Sequence, residues 1–436
     1  GTLSVTNHGD ISASASADAH APDSNNAKGY AKAHATGAYQ YSDASVSLID
    51  LYNDGSIAAV ADAQDTGSQS AYAFAYALGA YQSANDDTGT LTLTNLGDIS
   101  ATATASASTN NATGGGLFAK GSAESTGIYQ NANAEVNTAS VDNHGSIAAS
   151  ALGKADGAYD AYASAEALGV VQFGYNDAAT LEVTNDGTIA ATAVSYATSH
   201  GETADNVAGG YSGYATAQAY GVYQGGYATG NTLGVYNEGT ISANAVANAL
   251  VDGTGTYAYA EAYAIGVVQE ADGATADLSV VNHATIEAMA TANGTNYYAT
   301  ASYITASAVG VYQYSEANGT LEVSNDGTIS AEATLNATGR TNVPDYGGAT
   351  ATGVFQEVTD DASDASLSVT NAGTISAKAV NNGYSTSGHA QASATAHGIY
   401  QDGDADGTNL LDVYNEGTVT ATATADAQAA TNAYAY

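Results

Sequence analysis

The chain has 436 residues and a formal net charge of −38, which arises from 44 acidic and six basic residues. Such a charge repels phosphate backbones and anionic lipid surfaces, so nucleic acid is disfavoured as a partner. Aromatic residues make up only 8% of the chain, cysteine and tryptophan are absent, and 49 residues are glycine. A conventional core of large side chains is therefore not expected. No apolar run reaches the roughly 20 residues of a membrane span, so this segment is not expected to insert into a membrane.

The chain begins with a short alternating segment that ends at an asparagine and recurs along the sequence. In the first copy Leu3 and Val5 precede Asn7, and nearly every later copy has apolar residues at the same two positions. The asparagines recur about every 45 residues, a period typical of repeat architectures. They are Asn7, Asn53, Asn95, Asn143, Asn185, Asn237, Asn282, Asn325, Asn371 and Asn415.

The next element has the pattern Ile-x-Ala-x-Ala and starts four residues after each asparagine. Ile11, Ala13 and Ala15 form its first copy, and the only exception is Val419, which replaces isoleucine in the last. Successive side chains of a strand point to opposite sides, whereas a helix needs a spacing near 3.6. The strict period of two therefore predicts β-strands.

A variable stretch follows, and after it comes a third element with the pattern Ala-x-Ala-x-Gly-x-Tyr-Gln. Pro22 and Pro344 fall in the variable stretch, and the glycosylation sequons at Asn293 and Asn336 lie in or beside it. An aromatic residue such as Tyr39 precedes seven of the nine glutamines, and Val171 and Val268 precede the other two. This position has the period-two parity of the alanines, so its tyrosines are predicted to be buried with them. The glutamines are Gln40, Gln82, Gln130, Gln172, Gln224, Gln269, Gln313, Gln356 and Gln401.

Identical strands at a fixed period can pair in register when each repeat forms one turn of a solenoid. The sequence therefore predicts an all-β, single-stack β-solenoid (β-helix) of about ten turns. It forms one continuous domain over residues 1–436, with the last turn incomplete. Leu, Val and Ile are expected to fill a wide corner, and the alanines a narrow arm. The asparagines and glutamines are predicted to form ladders, and Asn and Gly to provide the positive φ of tight corners. Ten turns at ~4.8 Å give a rod roughly 50 Å long.

The wording of the repeats resembles that of a known group of bacterial proteins. The segments "VTNDGTIAA", "GVYQ" and "LGVYNEGTISA" are similar to passenger repeats of autotransporter adhesins and filamentous-haemagglutinin-like surface proteins. The resemblance covers nearly the whole chain. It implies a right-handed β-helix that is displayed outside a Gram-negative-type cell. This chain departs from the pattern in its long alanine arms and in the lack of a translocator barrel.

The segment between each glutamine and the next apolar pair carries acidic residues in most copies. Carboxylates stacked at strand spacing repel one another unless they are screened. The segment therefore predicts weak binding of a divalent cation such as Ca²⁺, and the alternative is a hydrated acidic turn. No other cofactor is expected. The candidate ligands are Asp360, Asp361, Asp364, Asp402, Asp404 and Asp406.

Histidines are the other candidates for chemistry. His8, His144 and His283 share the position after the repeat asparagine, but three turns separate each from the next. Turns spaced ~4.8 Å apart place them about 14 Å from one another, too far to share a metal ion. No Ser-His-Asp spacing or isolated carboxylate pair stands out from the repeat. The sequence therefore favours a protein that is not an enzyme.

The leading functional prediction is an extracellular or cell-surface structural protein. Uncapped solenoid ends can template further strand pairing, so we expect the chain either to continue into more repeats or to assemble head to tail with itself into a fibre, matrix or appendage. The alternative is an adhesin that binds glycans or neighbouring cells through its insertion loops. Their tyrosines, which include Tyr196, Tyr211, Tyr297 and Tyr298, would supply stacking surfaces.

Overall fold

A computed structural model of the chain describes residues 1–21, 28–85, 87–109, 118–200, 212–252, 257–297, 301–339, 342–343, 347–359, 362 and 364–436. These residues form strands, turns and bends, and they contain no helix that is long and apolar enough to cross a membrane. The strands pair in parallel with the equivalent strands of the neighbouring turns. The predicted β-solenoid is therefore confirmed.

The Ile-x-Ala-x-Ala segments form a ten-stranded sheet, sheet B, in which neighbours follow in chain order. β2 pairs with β5 so that Ile11 lies beside Ile57 and Ala13 beside Ala59. The strands of sheet B are β2 (Asp10–His20), β5 (Ser56–Gly67), β8 (Asp98–Thr109), β11 (Ser146–Gly157), β13 (Thr188–Ser199), β15 (Thr240–Val251), β18 (Thr285–Asn296), β21 (Thr328–Gly339), β25 (Thr374–Ser385) and β29 (Thr418–Ala429).

The strands that end at the repeat asparagine and those that carry the repeat glutamine form sheet A, with 17 strands. They are β1 (Thr2–Asn7), β3 (Ala31–Ser42), β4 (Val46–Asn53), β6 (Ser70–Ala84), β7 (Thr88–Asn95), β9 (Phe118–Ala132), β10 (Val136–Asn143), β12 (Asp160–Asn185), β14 (Ser212–Asn237), β16 (Tyr257–Ala271), β17 (Thr275–Asn282), β19 (Ala301–Ser315), β20 (Asn318–Asn325), β23 (Ala349–Val358), β24 (Asp364–Asn371), β27 (Ala394–Gly403) and β28 (Thr408–Asn415). A small sheet C comprises β22 (Asn342–Val343), β26 (His389–Ala392) and β30 (Asn432–Ala435).

The interior divides into an alanine arm and a wide end, as the sequence predicts. In the arm, alanines of sheet A such as Ala217 pack against alanines of sheet B such as Ala243, and both are fully buried. At the wide end, Ile241 and Val235 pack in one apolar cluster, and Leu233 belongs to a second. The short alanine side chain allows the two sheets of the arm to approach closely, while the larger aliphatic residues fill the wide end.

Each glycine of the Ala-x-Gly-x-Tyr-Gln element forms an elbow in sheet A. A Cβ atom on Gly79 would lie 2.5 Å from the Gly127 carbonyl oxygen and 2.7 Å from Cγ2 of Ile99 in sheet B. Only glycine allows this approach. The elbow also shifts the alternation, because the inward residues Ala77 and Ala80 are three positions apart.

That shift makes the predicted burial of the tyrosine column wrong. Tyr39 is 65% exposed, and the following Gln40 is 4% exposed. The parity argument assumed an unbroken strand from the alanines to the tyrosine. The elbow glycine interrupts that strand, so the tyrosines point outward and the glutamines point inward.

The expectation of positive φ at the corners is also wrong. Among the described residues, positive φ occurs only at Asn176, Gly273 and Gly319, none of which is a repeat corner. The corner glycine has a different requirement, because a Cβ on Gly97 would lie 2.0 Å from the carbonyl oxygen of Gly55 in the preceding turn. Close stacking of successive corners therefore selects glycine.

Candidate functional site

The ten repeat asparagines form an unbroken ladder along the solenoid. Asn53 Nδ2 donates to Asn95 Oδ1 at 2.7 Å and also to the carbonyl oxygens of Gly55 and Asp98. These backbone acceptors fix the orientation of the amide. All nine Asn–Asn bonds measure 2.7 to 2.8 Å, and each donates towards the carboxyl-terminal turn.

The nine repeat glutamines form a second ladder with the opposite direction. Gln172 Nε2 donates to Gln130 Oε1 at 2.7 Å and to the carbonyl oxygen of Glu182 at 3.1 Å. All eight Gln–Gln bonds measure 2.7 to 3.0 Å, and each donates towards the amino-terminal turn. The glutamines from Gln82 to Gln356 are fully buried. The two predicted ladders thus run antiparallel to each other inside one rod.

The first and last turns expose groups that are buried elsewhere. Leu411 and Val413 in β28 are 45% and 47% exposed, whereas the equivalent Leu367 and Val369 of the preceding turn are 0% and 1% exposed. Leu3 in the first turn is 38% exposed. Each outer face of the described stack is therefore an apolar surface with an amide of each ladder at its edge.

A third, shorter amide ladder was not predicted. Asn293 Nδ2 donates to Asn248 Oδ1 at 2.9 Å, Asn336 to Asn293 at 2.8 Å, and Asn382 to Asn336 at 2.9 Å. The sequons at Asn293 and Asn336 lie within strands β18 and β21, three residues before each strand ends. The signal was available in the sequence, since all four lie eleven residues after a repeat asparagine.

The histidines at the position after the repeat asparagine contact aspartates of the following turn. His8 Nδ1 lies 2.8 Å from Asp54, and His144 Nδ1 lies 2.8 Å from Asp186. His283 makes the same contact at 3.2 Å to Asp326. Each imidazole therefore has a carboxylate of the following turn as its neighbour, an arrangement that avoids stacked like charges.

The structure brings some of the candidate metal ligands together. Asp402 and Asp404 line a depression of about 440 Å³ with Glu316 and Glu357. Burial and the nearby Asp402 raise the pKa of Glu357. Within the described ranges, no three carboxylate or imidazole groups are arranged to hold one metal ion.

The remaining candidate ligands do not line this depression. The carboxylate of Asp364 accepts the Thr408 backbone N–H at 2.9 Å, and the backbone amide of Asp406 donates to the Ala362 carbonyl. Asp360 and Asp361 lie outside the described residues. Ca²⁺ binding along this edge stays a prediction.

The outward tyrosines stack on one another from turn to turn. Tyr39 and Tyr81 are parallel with ring centroids 4.7 Å apart, and Phe355 and Tyr400 are parallel at 5.0 Å. Of the tyrosines assigned to insertion loops, Tyr196 lies in strand β13 and Tyr297 follows β18; the two are 44% and 52% exposed. Tyr211 and Tyr298 lie outside the described residues.

The outer side of the elbow is a groove along the rod. Outward residues next to the elbow glycines are buried although no strand covers them, as Leu78, Ile265 and Val268 show with exposures of 1 to 4%. Ile265, Val268 and Val309 form an apolar cluster of their own, flanked by tyrosines. Partly buried tyrosines and Phe355 pack around this cluster and shield the outer surface of the elbow.

Comparison with known proteins returns no relative for this chain. No protein-family model matches it, and no curated protein or solved structure does so either. The resemblance to bacterial surface repeats therefore stays a prediction.

Proposed function

We propose that the chain is a non-enzymatic structural protein, located outside the cell or on its surface, whose β-solenoid polymerises head to tail into a fibre or matrix component. The observation that supports this proposal is that both amide ladders run unbroken from the first turn to the last, so that each could continue into a second copy. Direction matters because an amide ladder continues only when a donor of one turn meets an acceptor of the next.

The two ends of the rod are complementary in hydrogen bonding. At the carboxyl-terminal end, Asn415 presents its amide N–H₂ and Gln401 presents its carbonyl oxygen. At the amino-terminal end, Asn7 presents its carbonyl oxygen and Gln40 its amide N–H₂. A second copy stacked head to tail would satisfy both pairs in the register that the internal turns show.

The same stacking would bury the exposed apolar faces. Leu411, Val413 and Val419 of the last turn are 37 to 47% exposed and would meet Leu3, Val5 and Ile11 of the next copy in the register seen between internal turns. Burial of such side chains stabilises an interface by roughly 25 cal/mol per Å² of apolar area. The unpaired strand edges would gain partners at the same time.

Two isosteric substitutions test the proposal. Asn415→Asp keeps the oxygen that accepts from Asn371 and replaces the amide nitrogen at the end of the ladder, which also donates to the Gly417 carbonyl at 3.3 Å. Gln40→Glu makes the same change at the opposite end, where the amide also donates to the Asp50 carbonyl at 2.9 Å. We expect wild-type chain to form rods longer than roughly 50 Å as its concentration rises. Each variant should shift this growth to at least about tenfold higher concentration, as judged by sedimentation velocity and electron microscopy.

Asn7→Asp is the matched control. It removes the donor to Asn53 inside the rod and keeps the end-facing oxygen, so it should lower thermal stability more than it changes the onset of assembly. Wild-type chain that stays monomeric at high concentration would contradict the proposal. Equal assembly by wild type, Asn415→Asp and Gln40→Glu would show that the ladders do not direct it.

A further inference from the structure

The outer aromatic column is interrupted at Val171, between Tyr129 and Tyr223 of the neighbouring turns. The ring of Phe173, two residues further along β12, contacts the rings of both of these tyrosines. Its ring lies 5.7 Å from that of Tyr129 and 5.5 Å from that of Tyr223, at angles of 55° and 56°. The parallel stack seen elsewhere in the column is thereby replaced by tilted rings.

These tilted rings line an open pocket on the outer side of the elbow. The pocket has a volume of about 190 Å³ and is lined by Tyr129, Glu166, Leu168, Val171, Phe173, Tyr220 and Tyr223. The ring of Tyr220 is perpendicular to that of Tyr223, with 6.1 Å between the ring centroids. The pocket therefore presents ring faces and ring edges next to the aliphatic side chains of Leu168 and Val171. The Tyr223 hydroxyl donates to the Glu270 carboxylate, which fixes the ring and increases its electron density.

Glu166 is the only charged group in this lining. Burial raises the pKa of its carboxyl group, and its carboxylate makes no hydrogen bond or ion pair with any described residue. Its register partner in β9 is Glu124, whose pKa is raised by burial and by the charge of Glu166. The register partner on the other side, in β14, is the neutral Gln218. Glu124 faces a separate depression that Lys32 and His34 also line, whereas no cation lines the aromatic pocket beside Glu166. The charge of Glu166 therefore defines the complementary ligand.

We propose that this pocket binds a quaternary ammonium group, which the aromatic rings hold through cation–π contacts and Glu166 holds through its charge. An alkylated ammonium ion matches both halves of the site, because its methyl groups fit an apolar pocket and its charge is attracted by ring faces and by the carboxylate. Neutral sugars lack a positive charge, and the Glu166 carboxylate repels anions. The site lies on the side of the rod and does not depend on assembly.

Choline titration followed by calorimetry or by NMR tests the proposal. The comparison ligand is 3,3-dimethyl-1-butanol, which has the shape of choline and no charge. We expect choline to bind at least about fivefold more tightly than this alcohol. Glu166→Gln and Tyr220→Leu should each weaken choline binding at least about fivefold, and Glu182→Gln, which removes a charge from β12 outside the pocket, should leave it unchanged.

Melting temperatures of the variants that do not fall below that of wild type will show that the loss of binding is local. A further variant, Val171→Tyr, fills the pocket with the residue that both neighbouring turns carry at this position. Val171→Tyr should abolish choline binding. Phosphocholine and a trimethyl-lysine peptide then distinguish a lipid headgroup from a protein side chain as the source of the ammonium group, and tight binding of either one upholds the site. Equal binding of choline and its neutral analogue, or equal binding by wild type and Glu166→Gln, would overturn it.

Discussion

The alanine arm and the wide end of the solenoid differ in how they respond to exceptions in the repeat. In the arm, Gly294 replaces an alanine of sheet B, and Ile304 replaces one of sheet A. A Cβ on Gly294 would lie 2.0 Å from Cδ1 of Ile304, so the larger residue occupies space that the smaller one vacates. At the wide end, the asparagine and glutamine positions have no exceptions. Packing constrains only the local volume, whereas a hydrogen-bonded chain constrains the residue type at every step.

The largest predicted effect is the interruption of the glutamine ladder. Gln172→Leu removes the bonds to Gln130 and to two backbone carbonyls, and it leaves the Gln224 amide without its Oε1 acceptor. Because each unsatisfied buried polar group costs about 1–3 kcal/mol, we expect a loss of more than about 3 kcal/mol in the free energy of unfolding. Urea denaturation measures it.

Gln401→Leu at the more exposed end of the ladder is the control. It interrupts only one ladder bond, so its effect should be less than half as large. Equal losses for both variants would show that the ladder does not act as a continuous chain.

The second prediction tests compensation in the arm. Gly294→Ala places a methyl group against Ile304 and should destabilise the protein by about 1–3 kcal/mol. Combining it with Ile304→Ala restores the usual alanine pair and should recover at least about 1 kcal/mol relative to the sum of the single changes. Additive effects would mean that these two residues do not compensate for each other.

The third prediction concerns the corners. Ala284 is the natural exception among the corner glycines, at a position where a Cβ on the equivalent Gly187 would lie 2.0 Å from the carbonyl oxygen of Gly145 in the preceding turn. Ala284→Gly should therefore stabilise the protein by up to about 1 kcal/mol. Gly239→Ala, whose Cβ would lie 2.0 Å from the Gly187 oxygen, should destabilise it by more than about 1 kcal/mol. Thermal denaturation of the two variants shows whether each stabilises or destabilises the protein. Stabilisation by Gly239→Ala would contradict this account.

The fourth prediction is an unusual pH dependence that originates in carboxyl groups whose pKa is raised by burial. Burial raises the pKa values of Asp65, Glu124, Asp160 and Glu166. Because the folded state then binds protons more tightly than the unfolded chain, stability should increase as the pH falls from about 7 to about 4.5. The melting temperature measured across this range gives the slope.

Asp65→Asn identifies one source of that slope. Asp65 is 1% exposed, and its Oδ1 has no hydrogen-bond partner. The variant should be more stable than wild type near pH 7 and should show a weaker pH dependence. A melting temperature that falls steadily on acidification of wild type would contradict the prediction.

The smallest predicted effect is that of calcium on the acidic edge. Glu316, Glu357, Asp402 and Asp404 share one depression without forming a compact ligand set. Millimolar Ca²⁺ should therefore raise the melting temperature of a chelated sample by only a few degrees, on the order of 1 kcal/mol. Asp402→Asn should reduce this increase in melting temperature. A wild-type melting temperature that Ca²⁺ leaves unaltered would contradict the prediction that the acidic edge binds Ca²⁺.

The sequence predicts the ladders, the two interior regions and the parallel stack because each depends on residues at a fixed period. It does not predict the outward direction of the tyrosines, because that depends on the local bend at Gly79 and its equivalents. The repeat pattern does not predict the proposed ammonium pocket either. It results from an exception at Val171, combined with Phe173 from a different column, and only the structure brings these residues together.

Cryo-electron microscopy of the assembled chain tests the central claim most directly. Head-to-tail assembly predicts filaments in which every subunit has the same direction, with a ~4.8 Å strand spacing that continues across each junction. Asn415 should lie within hydrogen-bonding distance of Asn7 of the next copy, and Gln401 of Gln40. Isolated rods roughly 50 Å long, or filaments with subunits of alternating direction, would contradict the account.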